Sequence, residues 1–153
     1  APADARIRSR VFSPDTTRAV RSMMRLVVAH PDGTGNLAEA RGYMVGGKTG
    51  TSEKVRPEGG YFKDRNIASF VATFPVHEPK YVLAIMVDDP KGQKKSYYKT
   101  TGGWVAAPAA KEIIRHAAPM LRIHPVDEKA PEIRQKLWLD FKIGKGEMAL
   151  ASY

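Results

Sequence analysis

The chain is predicted to be α+β, an antiparallel sheet with flanking helices, on three observations. Apolar residues recur at helical spacing after Ser13, two β-forming runs cover 66–74 and 81–87, and an alanine-rich stretch follows from Trp104. The link Pro75-Val76-His77-Glu78-Pro79-Lys80 between the two runs is too short for a parallel crossover, which takes a dozen or more residues, so the runs pair as a hairpin.

Each element has its own justification. Ser13-Pro14-Asp15 opens a helix with a capping hydroxyl, a proline at the first turn and an acid at the positive end of the dipole. Val20, Met23, Met24, Val27 and Val28 define the face it is expected to bury, and His30-Pro31-Asp32-Gly33 ends it. Arg41-Gly42-Tyr43-Met44-Val45 reads as a short extended run leading into Gly46-Gly47-Lys48-Thr49-Gly50-Thr51, with a polar loop from Ser52 to Gly60 beyond. Asn66 to Phe74 alternates and stops at Pro75; Tyr81 to Val87 is continuously apolar and ends in Asp88-Asp89-Pro90. A loop rich in lysine and glycine, Lys91 to Lys99, precedes a second helix, Trp104 to His116, with Val105, Pro108, Ala109, Ile113 and Ile114 apolar and Pro108 tolerated near its start. The organisation is one unit over 1–124 and a polar tail, 125–153, partly helical or mobile, with a short helix from Ile133 to Phe141 carrying Leu137, Trp138 and Phe141 and little to bury.

With 153 residues, 42% apolar and 27% charged, the composition is that of a single globular domain with a core. No run approaches the roughly 18 apolar residues that span a bilayer. The start, Ala1-Pro2-Ala3-Asp4-Ala5-Arg6, has neither an initiator methionine nor an apolar signal core and reads as a piece of something longer. The absence of cysteine excludes disulfides and thiolate chemistry. The net charge of +9 is scattered, with only Lys94-Lys95 adjacent, so a solvated basic surface accounts for it better than nucleic acid does.

Gly46 to Thr51 holds the parts for gripping an anion: glycines that let a backbone approach closely, one cation and two hydroxyls. Gly42 through Thr49 formally fits the phosphate loop, a glycine, four residues, then Gly-Lys-Thr. That motif needs a buried strand before it and a helix from the lysine, and neither polar, glycine-rich flank fits. Lys48-Thr49-Gly50 also matches the last motif of the penicillin-recognising serine enzymes, where it lies on a strand at the edge of the site. Asp88-Asp89 before a proline is a turn former with no His or Cys cluster beside it, and His77, His116 and His124 are dispersed. Trp104 and Trp138 read as packing residues.

In order along the chain, Ser13-Pro14-Asp15-Thr16-Thr17 through Met24, Gly42 through Thr51, Asp88-Asp89-Pro90 and Gly102-Gly103-Trp104-Val105-Ala106-Ala107-Pro108 resemble the C-terminal part of the transpeptidase domain of class B penicillin-binding proteins, the septal cell-division enzymes above all. The resemblance runs from about Val11 to about Pro125 and implies the C-terminal portion of the penicillin-binding protein and serine β-lactamase fold. Members of that family use Ser-x-x-Lys, then Ser-x-Asn, then Lys-Thr-Gly. This chain has no Ser-x-Asn, and its one Ser-x-x-Lys, Ser96-Tyr97-Tyr98-Lys99, comes after the Lys-Thr-Gly in a loop. The nucleophile is therefore expected upstream of Ala1, and the chain alone is expected to be inactive.

The resemblance implies a peptidoglycan D,D-transpeptidase that cross-links stem peptides through an acyl-serine and binds β-lactams. Lys48 would supply positive field and hold the Ser-x-Asn hydroxyl, and the Thr51 backbone N–H would serve the oxyanion. Thr49 and Thr51 hydroxyls would bind the terminal carboxylate, Gly50 would keep the strand open, and Tyr61, Tyr97 and Tyr98 would wall the ligand. No metal or other cofactor is expected. Expected partners are the stem peptides, β-lactams, the upstream part of the same transpeptidase and divisome membrane proteins, not nucleic acid. The expected location is the periplasmic face of the bacterial inner membrane, through an upstream anchor. Two alternatives stand beside this: a non-catalytic cell-wall or divisome interaction module of the same fold, and a basic nucleotide-binding protein.

Overall fold

The computed structural model describes residues 10–137 and the backbone of 142–144 and 147–149. Helix α1, Pro14–Ala29, starts as its sequence dictates: the Ser13 Oγ accepts from the Thr16 N–H at 3.1 Å. Its buried stripe differs from the expected one. Ser22, Arg25 and Val28 are buried, whereas Val20 and Met23 are exposed. Apolar periodicity misplaced the face because Arg25 lies among carboxylates and a carbonyl that satisfy its charge inside the fold.

The sheet has three strands in the order β1 (Gly46–Val55), β2 (Tyr61–Phe74), β3 (Tyr81–Asp88), each antiparallel to its neighbour. β1 and β2 run further than expected. Much of the expected polar loop is strand through Val55, and the turn is closed by the Arg56 N–H on the Gly60 carbonyl at 2.9 Å. Pairing with the early residues of β2 outweighs the weak strand propensity of Ser52, Glu53 and Lys54. The expected extended run 41–45 lies outside the sheet, because Gly42 and Met44 take positive φ of 85° and 48° and turn the chain. Lys48 thus stands on a strand, not in a loop that feeds a helix, which contradicts the nucleotide-binding alternative.

Pairing Thr49 with Phe70 and Lys48 with Val71 assigns the two faces of the sheet. The Phe70 face meets helix α2, Ala106–Met120, whose buried stripe is Ala106, Ala107, Ala110, Ile114 and Ala118. Small alanines let this helix lie close to the sheet. The expected face was displaced: Ile113 is exposed, and the helix runs four residues past His116. On the opposite face Lys48, Val71, Val82 and Met86 are exposed.

The segment expected to bury little docks on the domain. Helix α3, Pro131–Leu137, packs Ile133 and Leu137 against Met44 and Val76. Trp138 and Phe141 lie outside the described residues. Two short strands, β4 (Lys142–Gly144) and β5 (Glu147–Ala149), pair antiparallel in a sheet of their own. No helix among the described residues is long and apolar enough to cross a membrane.

Candidate active site

β1 is an edge of the sheet, so one side of its backbone is free of strand partners among the described residues. Alternation places Thr49 and Thr51 on the Phe70 face and Lys48 and Gly50 on the other. The Lys48 ammonium bends back to donate to the Thr49 carbonyl at 2.8 Å and stays exposed.

The turn before α2 closes over this strand. The Gly102 N–H donates to Thr51 Oγ1 at 3.1 Å, which leaves the Thr51 hydroxyl proton available to a ligand. Thr49 Oγ1 lies 3.0 Å from Thr34 Oγ1, so that pair also keeps one hydroxyl proton to give. A Cβ on Gly102 would sit 2.2 Å from the Ser69 carbonyl oxygen, 2.5 Å from the Gly50 oxygen and 3.2 Å from the Gly50 nitrogen. Those three atoms crowd about one point, as in a pair exchanging both ladder hydrogen bonds. Alternation then directs the N–H groups of Thr49 and Thr51 to the open edge.

The tyrosines divide. Tyr97 and Tyr98 are exposed and both hold left-handed conformations, φ 50° and 59°, after a 3-10 turn over Lys94–Ser96. Tyr97 packs edge-on against Trp104 at 5.6 Å, and Lys99 lies over the same indole at 4.7 Å, so the Gly102–Trp104 turn links them to β1. Consecutive non-glycine residues held in this region are characteristic of functional loops. Tyr61 is the first residue of β2, opposite Val55, about 13 Å along the hairpin from Thr51 at ~3.3 Å per residue. The structure does not bring it to the Lys48–Thr51 cluster. Ser96 is buried with its hydroxyl 3.0 Å from the carbonyls of both Gln93 and Lys99, which share its one proton, a loop-closing role. Asp88 pairs with Lys54, and Asp89 with Arg65 and Lys91; the Lys91 hydrogen bond and the Arg65 charge hold the Asp89 carboxyl below the usual range.

Thr34, Ser69 and Gly102 were not singled out as site residues in the sequence. Thr34 sits in a glycine-rich turn that carries no chemical signature, and the need for Gly102 arises from a strand 51 residues away.

Comparison with known proteins agrees with this geometry. The profile of the penicillin binding protein transpeptidase domain matches residues 3–115. The chain is 43% identical over 120 residues to a protein named as the probable peptidoglycan D,D-transpeptidase FtsI of Caulobacter vibrioides, covering 74% of this chain and 20% of that protein. It is 38% identical over 136 residues to stage V sporulation protein D of Bacillus subtilis, covering 88% and 19%. Among solved structures, penicillin binding protein 3 of Mycobacterium tuberculosis with ampicillin superposes with a TM-score of 0.68 at 30% identity, covering 81% of this chain and 28% of that one. The apo transpeptidase domain of penicillin-binding protein 3 from Burkholderia pseudomallei gives 0.66 at 38% identity, covering 78% and 34%. The chain belongs to the penicillin-binding-protein transpeptidase family and has its α+β fold. It spans about a fifth of the length of the two curated relatives.

Proposed function

We propose that the protein containing this chain is a peptidoglycan D,D-transpeptidase and that these residues build the Lys-Thr-Gly edge of its site. The observation that carries this is the edge strand that bears the exposed Lys48 on one face and the Thr49 and Thr51 hydroxyls on the other, in a chain of this family. A serine outside this sequence attacks the penultimate D-alanine carbonyl, the terminal D-alanine leaves, and an amine of a second stem peptide takes the acyl group and frees the serine. The Thr51 N–H donates to the oxyanion; Lys48 supplies positive field and holds a neighbouring hydroxyl; Thr49 and Thr51 bind the terminal carboxylate. Tyr97 and Tyr98 flank the ligand from the loop before α2, and Tyr61 bounds the far end of the hairpin. The upstream part of the domain covers the Val71, Val82 and Met86 face. The protein acts at the periplasmic face of the inner membrane, held by an anchor outside this sequence and in contact with divisome membrane proteins.

β-Lactams acylate the same serine, as the ampicillin complex of the Mycobacterium relative supports. The test is covalent labelling of the full-length protein by a fluorescent penicillin. Wild type becomes labelled, and Lys48→Ala lowers the labelling rate constant by about 100-fold, the scale of a lost proton-transfer partner. A full-length wild-type protein that takes no label is a non-catalytic module, and this reading is then wrong.

A further inference from the structure

The four residues before β1 are outside the sheet, so something else must fix how the chain enters the strand that carries Lys48. Arg25, 3% exposed on α1, sits at the centre of that something. Its Nη1 lies 2.7 Å from Glu39 Oε2 and donates to the Val45 carbonyl at 2.8 Å. Its Nη2 donates to Glu128 Oε2 at 2.6 Å. The other Glu128 oxygen accepts from the Gly42 N–H at 3.2 Å, and the Val126 N–H donates to the Gly42 carbonyl at 2.9 Å. Gly42 has no room for a side chain here, since a Cβ would lie 2.8 Å from Pro125.

One guanidinium and one carboxylate thus hold both ends of the lead-in, Gly42 and Val45, three residues before Lys48. A planar guanidinium fork fixes direction as well as distance, which a compact ammonium does not. Met44, between the two held points, carries a positive φ, a conformation that persists only where its surroundings impose it. Its carbonyl accepts from the Val76 N–H at 2.7 Å, which closes the lead-in against the β2–β3 connection. Buried ion pairs contribute little net stability compared with apolar packing, so specifying geometry is the better explanation of this cluster. Glu128 also lies beyond residues 3–115 matched by the family profile.

We infer that Arg25 and Glu128 are positioning residues for the transpeptidase site, clamping the segment after α2 onto the lead-in so that the Lys48–Thr51 edge is held in its reactive place. This rests on the transpeptidase reading above. The two act through β1 and touch neither substrate nor acyl group.

The test uses the full-length protein with Glu128→Gln, which keeps shape and an acceptor but removes charge, and Arg25→Lys, which keeps charge but loses the fork. Penicillin labelling is resolved into reversible affinity and the acylation step, well below each variant's Tm, and hydrogen exchange is followed in β1 and α2. The expected result in both variants is an acylation step slower by about tenfold, as small misplacements cause. Reversible affinity stays within about twofold, and the Lys48 and Gly50 amides, which face β2, exchange faster while α2 amides do not. Wild-type acylation rates and unchanged β1 exchange, whatever the Tm, overturn the proposal. If one variant does not fold, the other decides. If wild type itself takes no penicillin, the transpeptidase reading falls, and the exchange of β1 still decides whether the pair holds the strand.

Discussion

Gly102 lacks a side chain because its neighbours leave no space for one. The nearest atoms to an added Cβ belong to the backbones of Ser69 and Gly50, which cannot move without disturbing the β1–β2 ladder. Gly102→Ala in the full-length protein is expected to cost about 1–3 kcal/mol, the usual range for overpacking, and to slow penicillin labelling because β1 shifts. Denaturant unfolding and labelling kinetics check both. Residues of this kind mark the limit of what the chain reveals by itself. Lys48, Thr49 and Thr51 could be singled out as candidates because they match a family motif in the right order along the chain, and Gly102-Gly103 was legible as a family match. The contacts Thr34–Thr49 and Gly102–Thr51 were not, since no local pattern specifies which distant backbone will lie against a strand.

At the scale of elements, the β2–β3 hairpin followed from a short connection and two β-forming runs. Helix faces were read less well. α1 buries an arginine whose partners come from Glu39 and Glu128, and α2 buries alanines in place of Ile113; apolar periodicity cannot register either choice. The packing of α3 beneath the β2–β3 connection has a consequence in acid. His77 is buried there, and burial first, then the cations Lys136, Lys80 and Arg21, pull its pKa below 6.5, against an opposing pull from Glu78. The folded state then binds fewer protons than the unfolded chain, so stability is full above pH 6.5 and is lost as pH falls through the folded pKa. Glu39 works in the opposite direction: burial raises its carboxyl above 4.5 despite Arg25, so its protonation relieves the folded state at lower pH. The full-length protein is therefore expected to lose Tm as pH falls below 6.5, and His77→Gln to flatten that decline. An unchanged slope in the variant would assign the acid sensitivity elsewhere.

At the scale of the molecule, the proposed site edge and the groups that hold its lead-in lie within this one chain. α1, the Gly102–Trp104 turn and the segment after α2 converge on β1 and its lead-in, while the opposite face leaves Val71, Val82 and Met86 uncovered. A single measurement tests this account most directly: the structure of the full-length protein acylated by ampicillin. The account predicts the drug carboxylate within hydrogen-bond distance of the Thr49 and Thr51 hydroxyls, and the acyl oxygen about 3 Å from the Thr51 nitrogen. An acylated serine whose drug carboxylate and acyl oxygen both lie away from β1 would contradict it.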